Sequence, residues 1–145
     1  MGLGLRGFLL DTNVVSELVK SAPDLQVVAF LNSRDDLWLS TIVIHELHFG
    51  LRLLPTGRRQ RELRKVLSAI VAEHDDRLLG VGRRVAQHAA TLRAQARHAG
   101  RTTSLADALI AGTAAVHHLT VATRNVSHFR SLGVDVVSPW EPLTG

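Results

Sequence analysis

Apolar residues follow two rhythms along this chain. Phe8, Leu9 and Leu10 run together and stop at Asp11. Leu37, Trp38 and Leu39 do the same inside DLWLS, and LTVAT and VDVVS are further short runs. Runs of this length, rich in branched residues and bounded by polar turns, predict strands. Between them the apolar positions return every three or four residues, which predicts helices over roughly 13–20, 24–33, 41–54, 58–74, 81–98 and 104–116. In the helix from residue 41, Ile44, Leu47, Leu51 and Leu54 keep core-like spacing, and Pro55 with Gly57 stop it. Leu63, Val66, Leu67 and Ile70 line one side of the next helix, with bases on the other. The LLG at 78–80 is a candidate small strand ahead of an alanine-rich helix.

Strands separated by helices predict a parallel sheet covered on both faces, joined by right-handed crossovers. The expected fold is α/β, with one domain spanning 1–145 and a mostly parallel central sheet flanked by helices in three layers. The chain has 145 residues and no cysteine, which removes disulfide scaffolds and thiolate metal sites. No apolar run approaches the roughly 20 residues of a membrane span, and the first residues lack a leader pattern. The expectation is a cytoplasmic protein that does not enter membranes.

Charge changes the picture further. Lys and Arg number 17 against 13 Asp and Glu, a net +4, and the bases are nearly all arginine. They cluster as Arg58, Arg59, Arg61, Arg64 and Lys65, and again as Arg83, Arg84, Arg93, Arg97 and Arg101. Arginine grips phosphate with a planar fork, so a polyanion such as nucleic acid is one expected partner. A solvated helix surface is the plain alternative.

Three carboxylates stand in awkward places. Asp11 follows β-like FLL, and open parallel sheets bind ligands beyond the carboxyl ends of their strands. Asp-Thr-Asn is equally good cap and turn chemistry. Glu46 shares a helical stripe with Ile42, Phe49, Gly50 and Leu53, so it interrupts an apolar surface; it is either a boundary residue or one aimed into a site. Asp107 completes SLAD, a serine-x-x-acid capping box at 104–107, ahead of the small residues of ALIAGTAA. Neighbouring carboxylates repel unless a cation joins them. If the three meet within metal-bridging reach, their oxygen-only donor set favours Mg2+ or Mn2+.

The histidines offer a rival chemistry. His45 and His48 flank Glu46, His117 and His118 are adjacent, and His74, His88, His98 and His128 are scattered. A zinc site on His45, His48 and one acid, or a histidine acid–base nuclease using the ribose 2′-hydroxyl, are the two forms it could take.

FLLDTNVVSEL, LSTIVIHELHFGL, LADALIAGTAAVHHLTVATRNVSHF and VDVVSPW together resemble a PIN-domain protein, of the kind of the VapC and FitB-like toxin ribonucleases of bacterial toxin–antitoxin pairs. The likeness runs in order across roughly residues 7–141. It implies that Asp11, Glu46 and Asp107 are the first three metal-binding carboxylates, with Thr12, Asn13, Ser104 and Thr123 as polar neighbours. Related toxins commonly carry a fourth acid in or just after the ATRN segment. Here Asn125 and His128 occupy that stretch, so Asn125 is expected to orient a water and a second metal would be held less firmly. The segment LLGVGRRVA also lacks an aspartate that many FitB-like members have.

The resemblance further implies a Mg2+- or Mn2+-dependent endoribonuclease that leaves a 5′-phosphate and a 3′-hydroxyl. Arg58, Arg59, Arg61, Arg83, Arg84 and Arg124 are the candidate RNA contacts. It also implies a homodimer, a cognate antitoxin whose carboxy-terminal segment fills a groove and brings an arginine to the acids, and DNA contact made indirectly through that antitoxin. The competing reading is a non-catalytic PIN-like domain that binds a peptide partner or nucleic acid.

Overall fold

The computed structural model describes residues 7–142. Gly7 opens the first strand at a φ of 137°, in the region that favours glycine, and a Cβ there would collide with the Asp36 carbonyl. The close approach lets the Phe8 N–H donate to Asp36 O at 2.9 Å. Strand β1 (Phe8–Leu10) then pairs with β2 (Leu37–Ser40) on one side, Phe8 opposite Leu37, and with β4 (Thr120–Ala122) on the other, Leu10 opposite Ala122. Leu78–Leu79 form β3 beside β2, and Val136–Val137 form β5 beside β4. The sheet order is β3-β2-β1-β4-β5 and every pairing is parallel. The predicted parallel α/β sheet flanked by helices is what the chain forms.

Seven α-helices are described: α1 (Thr12–Leu18), α2 (Leu25–Asn32), α3 (Thr41–Leu53), α4 (Arg58–Glu73), α5 (Arg83–His98), α6 (Leu105–His117) and α7 (Val126–Ser131). Six match the expected segments within a few residues. The seventh, α7, does not appear in the periodicity because it is six residues long and buries only Phe129. One or two apolar positions cannot establish a period.

The central strands fill the core with Leu9, Leu10, Leu39, Val121 and Ala122, packed against Val14, Val15, Val27, Val43, Ile110 and Phe129. Each large aliphatic side chain taken fully from water contributes about 1.5–3 kcal/mol. Helix α6 approaches α5 closely: a Cβ on Gly112 would lie 3.0 Å from both Val85 O and Ala89 N, so the small residues of ALIAGTAA do serve packing. On α3 the inward face is Val43, Leu47 and Leu51, while Ile44 and Leu54 are half-buried. The stripe that carries Glu46 is not a core stripe, since Phe49 and Leu53 are 60% and 70% exposed. On α4, Leu67 is buried and Val66 is exposed. Among the described residues no helix is long and apolar enough to cross a membrane.

Gly7→Ala is expected to destabilise the protein by about 1–3 kcal/mol, since the residue must hold a strained φ or give up its place beside Asp36. Gly80→Ala, whose Cβ meets open space, should stay within about 0.5 kcal/mol. Urea denaturation of both variants checks the contrast, and equal losses would contradict the role of Gly7.

Candidate active site

Asp11 leaves β1 with extended backbone angles and caps α1, its Oδ1 accepting from the Thr12 N–H at 2.8 Å. Its own N–H donates to Ala122 O at 2.9 Å, carrying the β1–β4 ladder one residue past the strands. That register sets Thr123 beside it. Thr123 Oγ1 donates to Asp11 Oδ2 at 2.7 Å, and Asn13 Nδ2 reaches the same oxygen at 3.3 Å. The capping role and the strand-end role expected for Asp11 are therefore held by one side chain. Asp11 is buried, and burial pushes its carboxyl pKa up. The hydrogen bonds from Thr123 and Thr12 pull it down, and the charges of Asp107 and Glu46 push it up again.

Glu46 enters from α3, whose start is fixed by Ser40: its Oγ accepts from the Ile42 N–H at 3.1 Å. Thr12 Oγ1 donates to Glu46 Oε1 at 2.6 Å and so ties the first turn of α1 to α3. Asp107 enters from the first turn of α6. Ser104 Oγ accepts from the Asp107 N–H at 3.1 Å, so the serine half of the capping box is formed through the backbone. The carboxylate points elsewhere, with Oδ2 3.3 Å from Nε2 of His128. Asp11, Glu46 and Asp107 line a single cleft of about 410 Å3, together with Thr12, Asn13, Ser16, Glu17, Lys20, Arg124, Asn125 and Trp140.

The donors in this cleft are hard oxygens, the kind Mg2+ and Mn2+ select; burial does most to raise Asp11, and the smaller repulsion from Asp107 and Glu46 that adds to it is what a cation would relieve. Among the described residues, however, no three His, Asp or Glu side chains are drawn into a ligating cluster. The acids share a cleft without converging on one point. The same holds for a zinc site on His45 and His48, which lie with Phe49 and Arg52 along a separate surface depression on α3.

Of the arginines expected to meet RNA, only Arg124 lines the acid cleft, its guanidinium 4.9 Å over the Trp140 ring. Arg58, Arg59 and Arg61 lie exposed in the first turn of α4, where Arg58 pairs with Glu62 at 3.1 Å; Arg83 and Arg84 open α5. Asn125 is exposed at the cleft, its N–H donating to Thr123 Oγ1 at 3.0 Å. Sequence reasoning missed Glu17, a fourth carboxylate in the lining. It is committed to structure, accepting from the Asp24 N–H at 2.9 Å and pairing with Lys20 at 2.8 Å, which holds its carboxyl below the usual range. Its signal was available: Asn13, Ser16 and Glu17 make a polar stripe at helical spacing along α1, continued by Lys20 just past its end.

The PIN domain family model matches residues 8–133. The chain is 39% identical over 137 residues to a VapC ribonuclease of Sinorhizobium fredii, covering 92% of this chain and 98% of that protein. It is 39% identical over 135 residues to toxin FitB of Neisseria gonorrhoeae, covering 91% and 97%. The structure of FitAB bound to a DNA fragment superposes with a TM-score of 0.88 at 36% identity, covering 94% of this chain and 98% of that one.

The raised pKa of Asp11 has a sign. A carboxyl whose folded pKa lies above its unfolded value binds more protons when folded, so stability falls as pH rises through that window. The cost of holding the anion is fully present above the folded pKa and disappears below the ordinary value of 3.8. Asparagine caps a helix as well as aspartate does. Asp11→Asn is therefore expected to melt at a higher temperature than the wild type at pH 7 in EDTA, with the gap closing toward pH 3.8. Thermal melts across that range check it; a variant less stable at pH 7 would show that the Thr123 bond outweighs desolvation.

Proposed function

The chain belongs to the PIN-domain family, among the VapC/FitB-like toxins of toxin–antitoxin systems, and from that footing we propose that it is a Mg2+-dependent endoribonuclease held in check by a cognate antitoxin. Membership of this family implies ribonuclease activity. The observation that carries the finer reading is the shared cleft at the carboxyl edge of the sheet, where the charges of Glu46 and Asp107 both act on the buried Asp11.

In this reading Asp11, Glu46 and Asp107 hold the ion. Each approaches from a separate element whose start is pinned: α1 by Asp11 itself, α3 by Ser40 and α6 by Ser104. Thr12 and Thr123 fix the Glu46 and Asp11 carboxylates, and Asn13 braces Thr123 at 3.4 Å. Mg2+ held there would supply charge for the scissile phosphate and activate a water for in-line attack. Asn125 would orient a water from the rim. Arg124, supported by Trp140, offers its fork to a phosphate of the strand, leaving a 5′-phosphate and a 3′-hydroxyl after cleavage. The outer bases Arg58, Arg59, Arg61, Arg83 and Arg84 contact RNA backbone beyond the cleft, where salt weakens them.

The inhibitory partner has a place to lie. A groove of about 190 Å3 runs beside the cleft, lined by Val19, Leu47, Leu51, Leu54, Leu63 and Leu67, and it shares Thr12, Ser16 and Glu46 with the acid site. An apolar peptide segment seated there could extend a basic side chain to the three acids and take the cation's place. Contact with DNA then comes through the antitoxin; the similar FitAB is itself bound to a DNA fragment. Phe49, Leu53 and Val66 expose apolar surface on α3 and α4 that a C2 homodimer would cover. The second reading, a non-catalytic domain that binds a peptide or nucleic acid, draws on the acids standing short of a ligating cluster.

Purified protein is expected to cut single-stranded or looped RNA in Mg2+ or Mn2+ and to stop in EDTA, with Asp11→Asn reducing the rate by about a hundredfold or more. End analysis of the fragments should give 5′-phosphates. Cleavage that persists in EDTA, or 2′,3′-cyclic phosphates, would point to histidine chemistry. RNA binding without cutting across a broad substrate panel would support the non-catalytic domain.

Light scattering over a wide concentration range should find a species of twice the chain's mass. A persistent monomer would reject the dimer.

A further inference from the structure

A trough of about 740 Å3 runs between α5 and α6, larger than the acid cleft and sharing none of its lining residues. Ala86, Ala90 and Ala94 of α5 give it an apolar floor with Leu105 and Leu109 of α6. The same lining carries Arg93, Arg97 and Arg101, all exposed. Among the described residues none of these three guanidinium groups enters an ion pair. Arg101 is fixed by a neutral acceptor, its Nη2 donating to Ser131 O at 3.1 Å, so its charge is held in place and left uncancelled. The reason lies in the sequence. No Asp or Glu occurs between Asp76 and Asp107, a stretch that holds six arginines. A solvated helix surface commonly interleaves both signs, as α4 does where Arg58 pairs with Glu62. Helix α5 has bases only. Thr103, in the same lining, is buried with an Oγ1 that has no hydrogen-bond partner, a cost the protein itself does not relieve.

Charge of one sign beside an apolar floor suits an anionic ligand that also has apolar parts. Arg93 and Arg97 stand one helical turn apart, about 6 Å along the axis, and each presents a planar fork of the kind that grips phosphate. Phosphates repeated along a strand can take both forks while ribose and base cover the alanines. A second copy of this chain fits poorly. A two-fold contact through this face would set arginines against arginines, with no acid in the lining to pair them. We propose that the α5–α6 trough is a second RNA-binding site, an anchor for the strand whose scissile phosphate lies in the acid cleft. The first turn of α6 joins the two sites, Leu105 lining the trough and Asp107 the cleft. A strand that crosses this turn occupies both, so the trough favours single-stranded RNA long enough to span them. The inference rests on the reading of RNA as the substrate and says where else that substrate is held.

The experiment is binding of a fluorescein-labelled single-stranded RNA of mixed sequence to the full chain in EDTA, read by anisotropy over a range of salt concentrations. Arg93→Gln combined with Arg97→Gln should weaken binding about tenfold and lower the slope of log affinity against log salt by about 1.4, the share of two released phosphates. Ala90→Leu combined with Ala94→Leu fills the trough without altering charge, and it should weaken binding to a similar extent. Unchanged affinity and slope in both variants overturn the inference. So does a loss confined to the charge variant, because net charge alone would then be attracting RNA. A changed oligomeric mass by light scattering would make the trough an interface between copies and overturn it as well. An acidic peptide that binds more tightly than RNA and loses that affinity in both variants would assign the trough to a protein partner instead. The proposed activity fails separately: RNA bound through the trough but never cut leaves this site standing, whereas cutting by both variants with wild-type affinity removes this site alone. Circular dichroism establishes that each variant is folded. Should either unfold, thiouridine-containing RNA crosslinked to the wild type decides, with adducts expected within residues 83–109 and adducts confined to other segments overturning the site.

Discussion

The bond from Thr123 Oγ1 to Asp11 Oδ2, at 2.7 Å, is the interaction on which the rest of the site depends. It joins residues 112 positions apart in the chain, and it exists because β1 and β4 pair in parallel with Leu10 opposite Ala122. The next residue of each strand then emerges abreast at the carboxyl edge of the sheet. From this pair the polar network grows outward: Asn13 reaches both Asp11 and Thr123, the Asn125 N–H donates to Thr123, and the Arg124 N–H donates to Asn13 Oδ1 at 3.3 Å. Holding a carboxylate this deep costs stability unless it is hydrogen-bonded. The threonine and the helix amide offset part of that cost, and the remainder appears as a raised pKa.

Helix caps and cleft acids lie within a few residues of one another. Asp11 caps α1 and still faces the cleft. Ser40 and Ser104 cap α3 and α6, which frees Glu46 and Asp107 from any duty to their own helix ends. A hydroxyl accepts the orphan amide of the first turn, and an acid from the same helix is left to face its neighbours. The contrast with Glu17 is instructive. It lines the same cleft but is consumed by Lys20 and the Asp24 amide, so it braces the turn between α1 and α2. A carboxylate in the cleft becomes available for a ligand only when no cation or amide of the protein has already taken it.

The outward stripe of α3 divides exposed apolar surface from core. Val43, Leu47 and Leu51 face the sheet, which leaves Phe49 and Leu53 in solvent and Glu46 at the junction between the acid cleft and the apolar groove. A helix with apolar residues on two faces can bury only one of them in its own domain. Glu46 thereby borders both the acid cleft and the apolar groove, which is the route the proposed peptide inhibitor would take to the acids.

Most of the architecture was legible in the linear pattern. Apolar runs set the strands, three-to-four spacing set six of the seven described helices, and serine or aspartate caps four of these, because such features are decided by residues within a turn of one another. Glu46 could be singled out because it interrupts an apolar stripe, and Asp11 and Asp107 because each stands at a helix start, Asp11 also at a strand end. Helix α7 could not be read, since six residues with one buried Phe129 carry no period. Nor could the burial of Glu17, the outward face of Phe49, or the approach of His128 to Asp107. Those depend on strand register and on how each helix is rotated against the sheet, and register is settled by pairings between residues far apart in sequence, with Thr12 meeting Glu46 across 34 positions and Asp11 meeting Thr123 across 112. The sequence by itself determined which residues are able to cap, bury or bind; only the tertiary structure decided which of them share a cleft, because a carboxylate's partners are chosen by space and not by spacing.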